Sequence, residues 1–185
     1  MQPIDQLSYI VPTLTALVDR IEPVQLNDPT PCAKFTVHDV IDHMFVGAST
    51  FAYSFMGEQA PELKAPPVYG RVPAAELRLA MDGLLDAVKS PGATERTISA
   101  PFGDVPGEVF ARFVAFDGLI HCWDLATATG LTFDLPGCVI DAVDQFARSA
   151  LGPEMRDGDT FKDETVVSAD ASQLDRLAAF SGRSL

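Results

Sequence analysis

Two residues within one predicted helix have the types and the spacing that metal chemistry needs. Asp117 and His121 lie four positions apart in the segment DGLIHCWDLATATG at 117–130. Positions i and i+4 of an α-helix lie one above the other, with Cβ atoms roughly 6 Å apart. A carboxylate oxygen and an imidazole nitrogen at that spacing can reach the same ion, or they can hydrogen-bond to each other. The spacing alone leaves both interpretations open.

A second stretch far upstream, TPCAKFTVHDVIDH at 30–43, supplies another histidine on another predicted helix. Thr36 is a good N-cap, and Asp39 follows three positions later as in a capping box. His43 lies beside the apolar stripe of this helix. Asp39, four positions before His43, can either orient its imidazole as a second-shell partner or stabilise the helix start. Asp124, three positions after His121, can serve His121 similarly or cap a neighbouring backbone group.

The composition is that of an ordinary globular protein with one hydrophobic core. Of the 185 residues, 47% are hydrophobic and 21% charged, which suits a single domain spanning 1–185. No apolar run approaches the ~20 residues of a membrane span. The N-terminus lacks the basic and apolar regions of a signal peptide. We therefore expect a cytoplasmic protein that does not bind membranes.

The charge balance excludes one class of partner. The net charge is −13, from 26 acidic and 13 basic residues, and such a field repels a phosphate backbone. Because no Lys/Arg cluster offsets it, we expect no nucleic-acid binding.

Helical periodicity dominates the chain, since apolar residues recur at spacings of three and four between Pro- and Gly-rich breaks. A hairpin arm is expected within 95–107 and a short strand at 165–168. Four predicted helices span 3–21, 37–55, 108–129 and 172–181. Another starts near 73 and is stopped by Pro91-Gly92, and a further one is opened by Leu135-Pro136-Gly137 and closed by Gly152-Pro153. This pattern predicts an all-α fold, a four-helix bundle with an additional helix and minor short strands.

In helical bundles, metal and ligand sites are built from inward side chains on facing helices. Axes of neighbouring helices lie ~8–10 Å apart, so histidines from two of them can meet at one point. The long connection at 56–72 is expected to wall the entrance of such a site.

The three cysteines show no metal-like spacing, and their odd number argues against a disulfide framework. Cys122 and Cys138 fall in helical patterns and are predicted to be small core residues. Cys32 lies in a loop before a helix, where a packed thiol is the expected role.

Together the two stretches resemble a known family. They are similar to the DinB/YfiT-like metal-binding bundles, in the actinobacterial branch around the N-terminal domain of mycothiol-dependent maleylpyruvate isomerase. That branch shows T-P-C-x-x-W-[ST]-V-x-[DE]-L-x-x-H and then [ED]-x-x-x-H-x-W-D-L-A-x-A-x-G. The tail QLDRLAAFSGR at 173–183 also looks like its closing pattern. The resemblance spans nearly the whole chain.

The resemblance implies that His43, Asp117 and His121 are metal ligands, the set to which the helix spacing also points. Three N/O ligands leave an open position, which suits a catalytic divalent ion. Zinc is the first expectation, with nickel, cobalt or iron as alternatives. The competing interpretation is two core histidines with an aspartate partner. Two departures stand out: Asp117 replaces the Glu of the isomerase, and Phe35 replaces Trp, a change expected to affect packing only.

The function implied by the resemblance is a metal-dependent enzyme that uses a low-molecular-weight thiol, a mycothiol-type S-transferase or isomerase acting on an electrophilic substrate. Further catalytic residues cannot be assigned. The alternative is a non-catalytic metal- or small-ligand-binding protein, and a third interpretation is a structural bundle without a metal. The family resemblance also favours a homodimer.

Overall fold

The computed structural model describes residues 1–61, 74–100, 102–156 and 161–184. Its elements confirm the predicted helical fold with minor strands. They are α1 (Pro3–Val18), α2 (Val37–Met56), α3 (Ala74–Lys89), β1 (Thr97–Ala100), β2 (Gly103–Pro106), α4 (Gly107–Thr129), α5 (Gly137–Ala150) and α6 (Gln173–Phe180). Within the described part, no helix is long and apolar enough to cross a membrane.

Helices α1 to α4 form the bundle. Its main packing pairs are α2 with α3, α1 with α4, α1 with α3, and α2 with α4. This places α1 opposite α2 and α3 opposite α4, with α5 and α6 packed against α4 from outside the ring. Because α2 and α4 are neighbours, side chains of these two helices can meet across their interface.

Helix α4 is buried around much of its circumference, as its apolar sequence predicts. Residues 118–126 are all buried. Gly118 allows α1 to lie close by, since a Cβ at this position would be 3.0 Å from Cγ2 of Ile10. This close packing fixes the segment that carries Asp117 and His121.

Helix α2 begins at the predicted cap. The Thr36 hydroxyl accepts a hydrogen bond from the Asp39 backbone N–H, and the Asp39 carboxylate accepts one from the Thr36 N–H at 2.8 Å. The helix ends at Met56 and is capped by Gly57, whose φ of 75° is a left-handed conformation that glycine adopts without a Cβ penalty. The cap fixes the first turns of the helix that carries His43.

The other predicted elements agree in type and differ at some ends. Strands β1 and β2 form an antiparallel hairpin inside 95–107. Helix α1 ends at Val18 rather than at 21, and a 3₁₀ turn follows at Pro23–Asn27. The strand expected at 165–168 does not form, and the Thr165 N–H donates to the Ala179 carbonyl instead. Residues 62–73, which include most of the 56–72 connection and the expected helix start at 73, lie outside the described residues.

Candidate metal centre

The first feature of the site is a triad of ligand atoms from two helices, His43 on α2 and Asp117 with His121 on α4. His43 Nε2 lies 3.4 Å from each Asp117 carboxylate oxygen. His121 Nε2 lies 3.5 Å from Asp117 Oδ1. One ligand atom from each residue lies within 4.8 Å of the others. The two predicted motifs therefore meet at one point.

These separations are long for hydrogen bonds and are also compatible with a shared ion. Charge-assisted N–H···O bonds are typically about 2.7–2.9 Å long, so contacts of 3.4–3.5 Å are long for a histidine–carboxylate pair. Ligand atoms around a tetrahedral zinc, with bonds of about 2.0–2.1 Å, lie roughly 3.4 Å apart. The donor set of two imidazoles and one carboxylate also suits zinc and related divalent ions.

His121 is oriented from behind by a buried carboxylate. Its Nδ1 lies 2.9 Å from Oδ2 of Asp124, which is one of the two contacts that the sequence left open for Asp124. His121 is 3% exposed and Asp124 is fully buried. The contact with Asp124 fixes the orientation of the ring, so that Nε2 of His121 faces Asp117.

Asp39 does not make the contact with His43 that we considered for it. Its Oδ2 accepts hydrogen bonds from the N–H and the hydroxyl of Thr36, at 2.8 and 2.6 Å. These contacts agree with the alternative role at the helix start, and the second-shell role of Asp39 stays a prediction. The physical reason is local: the cap satisfies two donors within the same turn.

Aromatic packing holds the two imidazoles. The Phe35 ring centroid lies 5.6 Å from that of His43 and 6.3 Å from that of His121, while the two imidazole centroids are 4.9 Å apart. The replacement of Trp by Phe at 35 was expected to affect packing only. The packing of Phe35 is against the two imidazoles themselves, and Phe35 also lines the cleft.

The triad opens into a cleft of about 320 Å³. One wall is the loop before α2, and the opposite wall comes from the C-terminal part of the chain. The cleft is lined by Pro31, Cys32, Ala33, Lys34, Phe35, His43, Asp117, His121, Phe161, Lys162, Ser181, Gly182 and Arg183. Asp117 and His43 face this space with side chains 39% and 38% exposed, so a small molecule can reach the triad.

Electrostatics couple the triad strongly when no ion is bound. Burial disfavours the charged form of Asp117, but the charges and hydrogen bonds of His121 and His43 hold its pKa well below the usual range. Burial likewise lowers the pKa of His121, but the Asp117 charge and the bonds to Asp117 and Asp124 raise it to about 9. A divalent ion must therefore displace a proton from His121.

The cysteines divide by position. Cys122 is buried, as predicted, but Cys138 is exposed on α5, so its core prediction is wrong. Cys138 follows directly after the helix start at Gly137, where the first turn faces solvent. Cys32 is partly buried in the cleft, and burial raises the pKa of its thiol. Its thiol therefore stays protonated at neutral pH.

Sequence analysis missed the C-terminal wall of the cleft. Arg183 is only 7% exposed and donates to Asp124 from Nη2 at 3.0 Å and from Nε at 3.4 Å. Gly182, with a left-handed φ of 91°, lies directly against Lys162 just before Arg183. The closing pattern at 173–183 contained this arginine, but nothing in its spacing linked it to a histidine sixty-two positions earlier.

A family model supports the resemblance found in the motifs. The model described as the mycothiol maleylpyruvate isomerase N-terminal domain matches residues 10–126, a range that contains the whole triad. The chain belongs to this family. The family falls within the DinB/YfiT-like superfamily, as predicted.

Curated relatives extend the likeness along the chain without naming an activity. Two proteins of Mycobacterium tuberculosis are each 35% identical over 174 residues, covering 92% of this chain and 91% of the relative. They are the uncharacterized protein MT0763 of strain CDC 1551 / Oshkosh and the uncharacterized protein Rv0738 of strain ATCC 25618 / H37Rv. No solved structure gives a significant match.

Proposed function

We propose that this chain binds a divalent ion through His43, Asp117 and His121 and uses it to hold a low-molecular-weight thiol of the mycothiol type. The observation that carries the proposal is the convergence of the three ligand atoms within 4.8 Å at the base of an open cleft. The family assignment supplies the mycothiol connection.

Positive charge in the cleft favours an anionic ligand. Two neutral imidazoles and one carboxylate leave a bound divalent ion with a net positive charge. Among the described residues that line the cleft, the other charged side chains are Lys34, Lys162 and Arg183, and the charge of Arg183 is paired with the buried Asp124. The chain as a whole carries −13. A thiolate is therefore attracted to this part of an otherwise acidic protein.

Zinc is the proposed ion, with nickel, cobalt or iron as alternatives. A divalent ion held here would lower the pKa of an incoming thiol and keep it as the thiolate for attack on an electrophile. The protein's own contributions are orientation of His121 by Asp124, packing of both imidazoles against Phe35, and a half-enclosed space for the two reactants. The reaction class would be S-transfer or isomerisation.

The test is a titration of cobalt-loaded protein with mycothiol, followed by absorption spectroscopy. We expect a sulfur-to-cobalt charge-transfer band, which His121→Ala abolishes. His38→Ala is the matched control, because His38 lies on α2 beside Asp42 rather than in the triad. If cobalt-loaded protein gives no spectral response to mycothiol or to any common cellular thiol, the thiol-transfer function loses its mechanism.

A second candidate is a non-catalytic metal- or small-ligand-binding protein. One observation favours it: among the described residues of the cleft, Asp117 is the sole carboxylate and Cys32 has a raised pKa, so no general base stands beside the triad. An assay with mycothiol and 1-chloro-2,4-dinitrobenzene separates the two candidates. Formation of the thioether with release of chloride supports the transferase, and metal binding without turnover supports the binding protein.

The proposed assembly is a homodimer in the cytoplasm, with a small thiol and an electrophile as its partners. Light scattering at tens of micromolar tests the dimer. A mass near 20 kDa, that of one 19.9 kDa chain, would contradict it.

A further inference from the structure

Behind His121 lies a buried chain of three polar side chains that ends outside the matched family range. His121 Nδ1 lies 2.9 Å from Asp124 Oδ2, and the same carboxylate receives two hydrogen bonds from Arg183. The three residues are 3%, 0% and 7% exposed. Arg183 lies beyond residue 126, where the family match ends.

The Arg183 contacts are of the kind that fixes a carboxylate. Nη2 donates to Oδ2 at 3.0 Å and Nε donates to Oδ1 at 3.4 Å. Such a two-point contact between a planar guanidinium and a planar carboxylate sets the rotation of the carboxylate as well as its position. Asp124 therefore presents Oδ2 to His121 in one orientation.

Arg183 also compensates a charge that could not otherwise remain in the core. A fully buried carboxylate with only a histidine donor carries a large desolvation cost. The opposite charge of Arg183 offsets that cost at a distance of 3.0 Å.

The segment that carries Arg183 is itself held firmly. The Thr165 hydroxyl donates to the Arg183 carbonyl, and the Arg183 N–H donates to the Ala178 carbonyl. A further bond links Arg183 Nη1 to the Ser181 hydroxyl. The guanidinium is thus positioned by the turn after α6.

We propose that Arg183 is a positioning residue of the metal centre, which clamps Asp124 so that the Nδ1 proton of His121 stays bound and Nε2 points to the ion. This inference rests on the proposed function, because it assumes that an ion binds to His121. It assigns to the C-terminal segment a direct part in metal affinity. Loss of such an outer partner typically weakens metal binding about 10–100-fold.

The experiment compares the affinity of Arg183→Met, Arg183→Lys and wild type for cobalt and zinc. We expect Arg183→Met to bind 10–100-fold more weakly. Arg183→Lys should be intermediate, because lysine keeps the charge but cannot form the two-point contact. Arg176→Met is the matched control, since the side chain of the exposed Arg176 on α6 donates only to the Ala169 carbonyl among the described bonds. It should stay within about twofold of wild type.

A second measurement separates positioning from a merely structural role. The ring nitrogen and Nδ1 proton signals of His121, recorded by long-range proton–nitrogen NMR, should move or broaden in Arg183→Met and remain unchanged in Arg176→Met. In a double-mutant cycle, Asp124→Asn combined with Arg183→Met should weaken metal binding about as much as Asp124→Asn alone, because both changes act through one contact.

Each outcome decides the proposal. Wild-type affinity in Arg183→Met, or additive losses in the cycle, would overturn it. If Arg183→Met does not fold, the metal affinity and the His121 NMR signals are measured on Arg183→Lys. An Arg183→Lys variant with the affinity and the signals of wild type would refute the positioning role of Arg183. If wild-type protein binds neither metal, the proposed function fails, and the His121 Nδ1 signal of the ion-free protein still tests the clamp by itself.

Discussion

Asp117 stands between two imidazoles from two helices, with its oxygens 3.4 and 3.5 Å from their Nε2 atoms. The i, i+4 spacing predicted that Asp117 and His121, two of the three residues, lie side by side, and the upstream motif supplied His43. The aspartate side chain, which is shorter than the Glu of the isomerase, still reaches both rings. What the sequence could not reveal was Arg183, since a contact between a terminal turn and a central helix has no local periodicity.

Asp117→Asn tests the charge of the carboxylate. The amide keeps an oxygen of similar size but removes the anionic ligand, so we expect the Kd for zinc to rise about 100-fold or more. Isothermal titration calorimetry measures the change. Asp104→Asn, an exposed position on the hairpin, removes the same charge away from the cleft and should leave the Kd unchanged. Equal affinities for Asp117→Asn and wild type would remove Asp117 from the site.

The raised pKa of His121 predicts a pH-dependent stability for the ion-free protein. Since the folded-state pKa of about 9 exceeds the ordinary 6.5, the charged imidazole stabilises the fold fully below about pH 6.5. That contribution, at most about 3 kcal/mol, is lost as the pH rises through 9. Urea unfolding at pH 6, 7.5 and 9 measures it. In His121→Gln the free energy of unfolding should vary less with pH. If it varies with pH as in wild type, the pH dependence comes from other groups.

At the scale of elements, the types of the helices were predictable and their ends were less so. The Thr36–Asp39 box marked the start of α2 correctly because a cap is a local signal. The end of α1 at Val18, three residues before the predicted one, has no such signal. The C-terminal wall of the cleft depends on tertiary contacts such as the bond from the Thr165 N–H to the Ala179 carbonyl. Local periodicity does not reveal such contacts, so the strand predicted at 165–168 was wrong.

Gly182 tests whether the C-terminal turn supports the site. A Cβ there would lie 2.6–2.9 Å from Cβ, N and Cα of Lys162 at a φ of 91°, so Gly182→Ala should cost more than the ~1–3 kcal/mol of a strained backbone alone. Gly92→Ala is the control, because its φ is 79° but nothing lies within 4 Å. Chemical unfolding measures both. We expect Gly182→Ala to be less stable than Gly92→Ala and to bind zinc more weakly. Equal losses of stability and zinc affinity in the two variants would contradict a role for the contact between Gly182 and Lys162.

At the scale of the molecule, the bundle was predictable because amphipathic helices with little strand have few ways to bury their apolar faces. The ring of α1, α3, α2 and α4 makes α2 and α4 neighbours, and this arrangement brings distant motifs together. Which helices become neighbours does not follow from periodicity, so the meeting of His43 with His121 needed the family resemblance or the structure.

Metal binding should stabilise the whole protein. An ion that binds only the folded state adds about 2.7 kcal/mol at a concentration of 100 Kd, which raises the Tm of a chain of this size by roughly 5–10 °C. Thermal unfolding monitored by circular dichroism, with zinc and with chelator, measures the shift. The shift should vanish in His43→Ala; a zinc effect of the same size in that variant would point to binding elsewhere.

The central claim is that one divalent ion is held jointly by α2 and α4. Anomalous diffraction at the zinc edge from crystals grown with zinc tests it most directly. The account predicts one strong peak at about 2.0–2.2 Å from Nε2 of His43, Nε2 of His121 and a carboxylate oxygen of Asp117. The absence of a peak at these three atoms, or a peak bound by other residues, would contradict it.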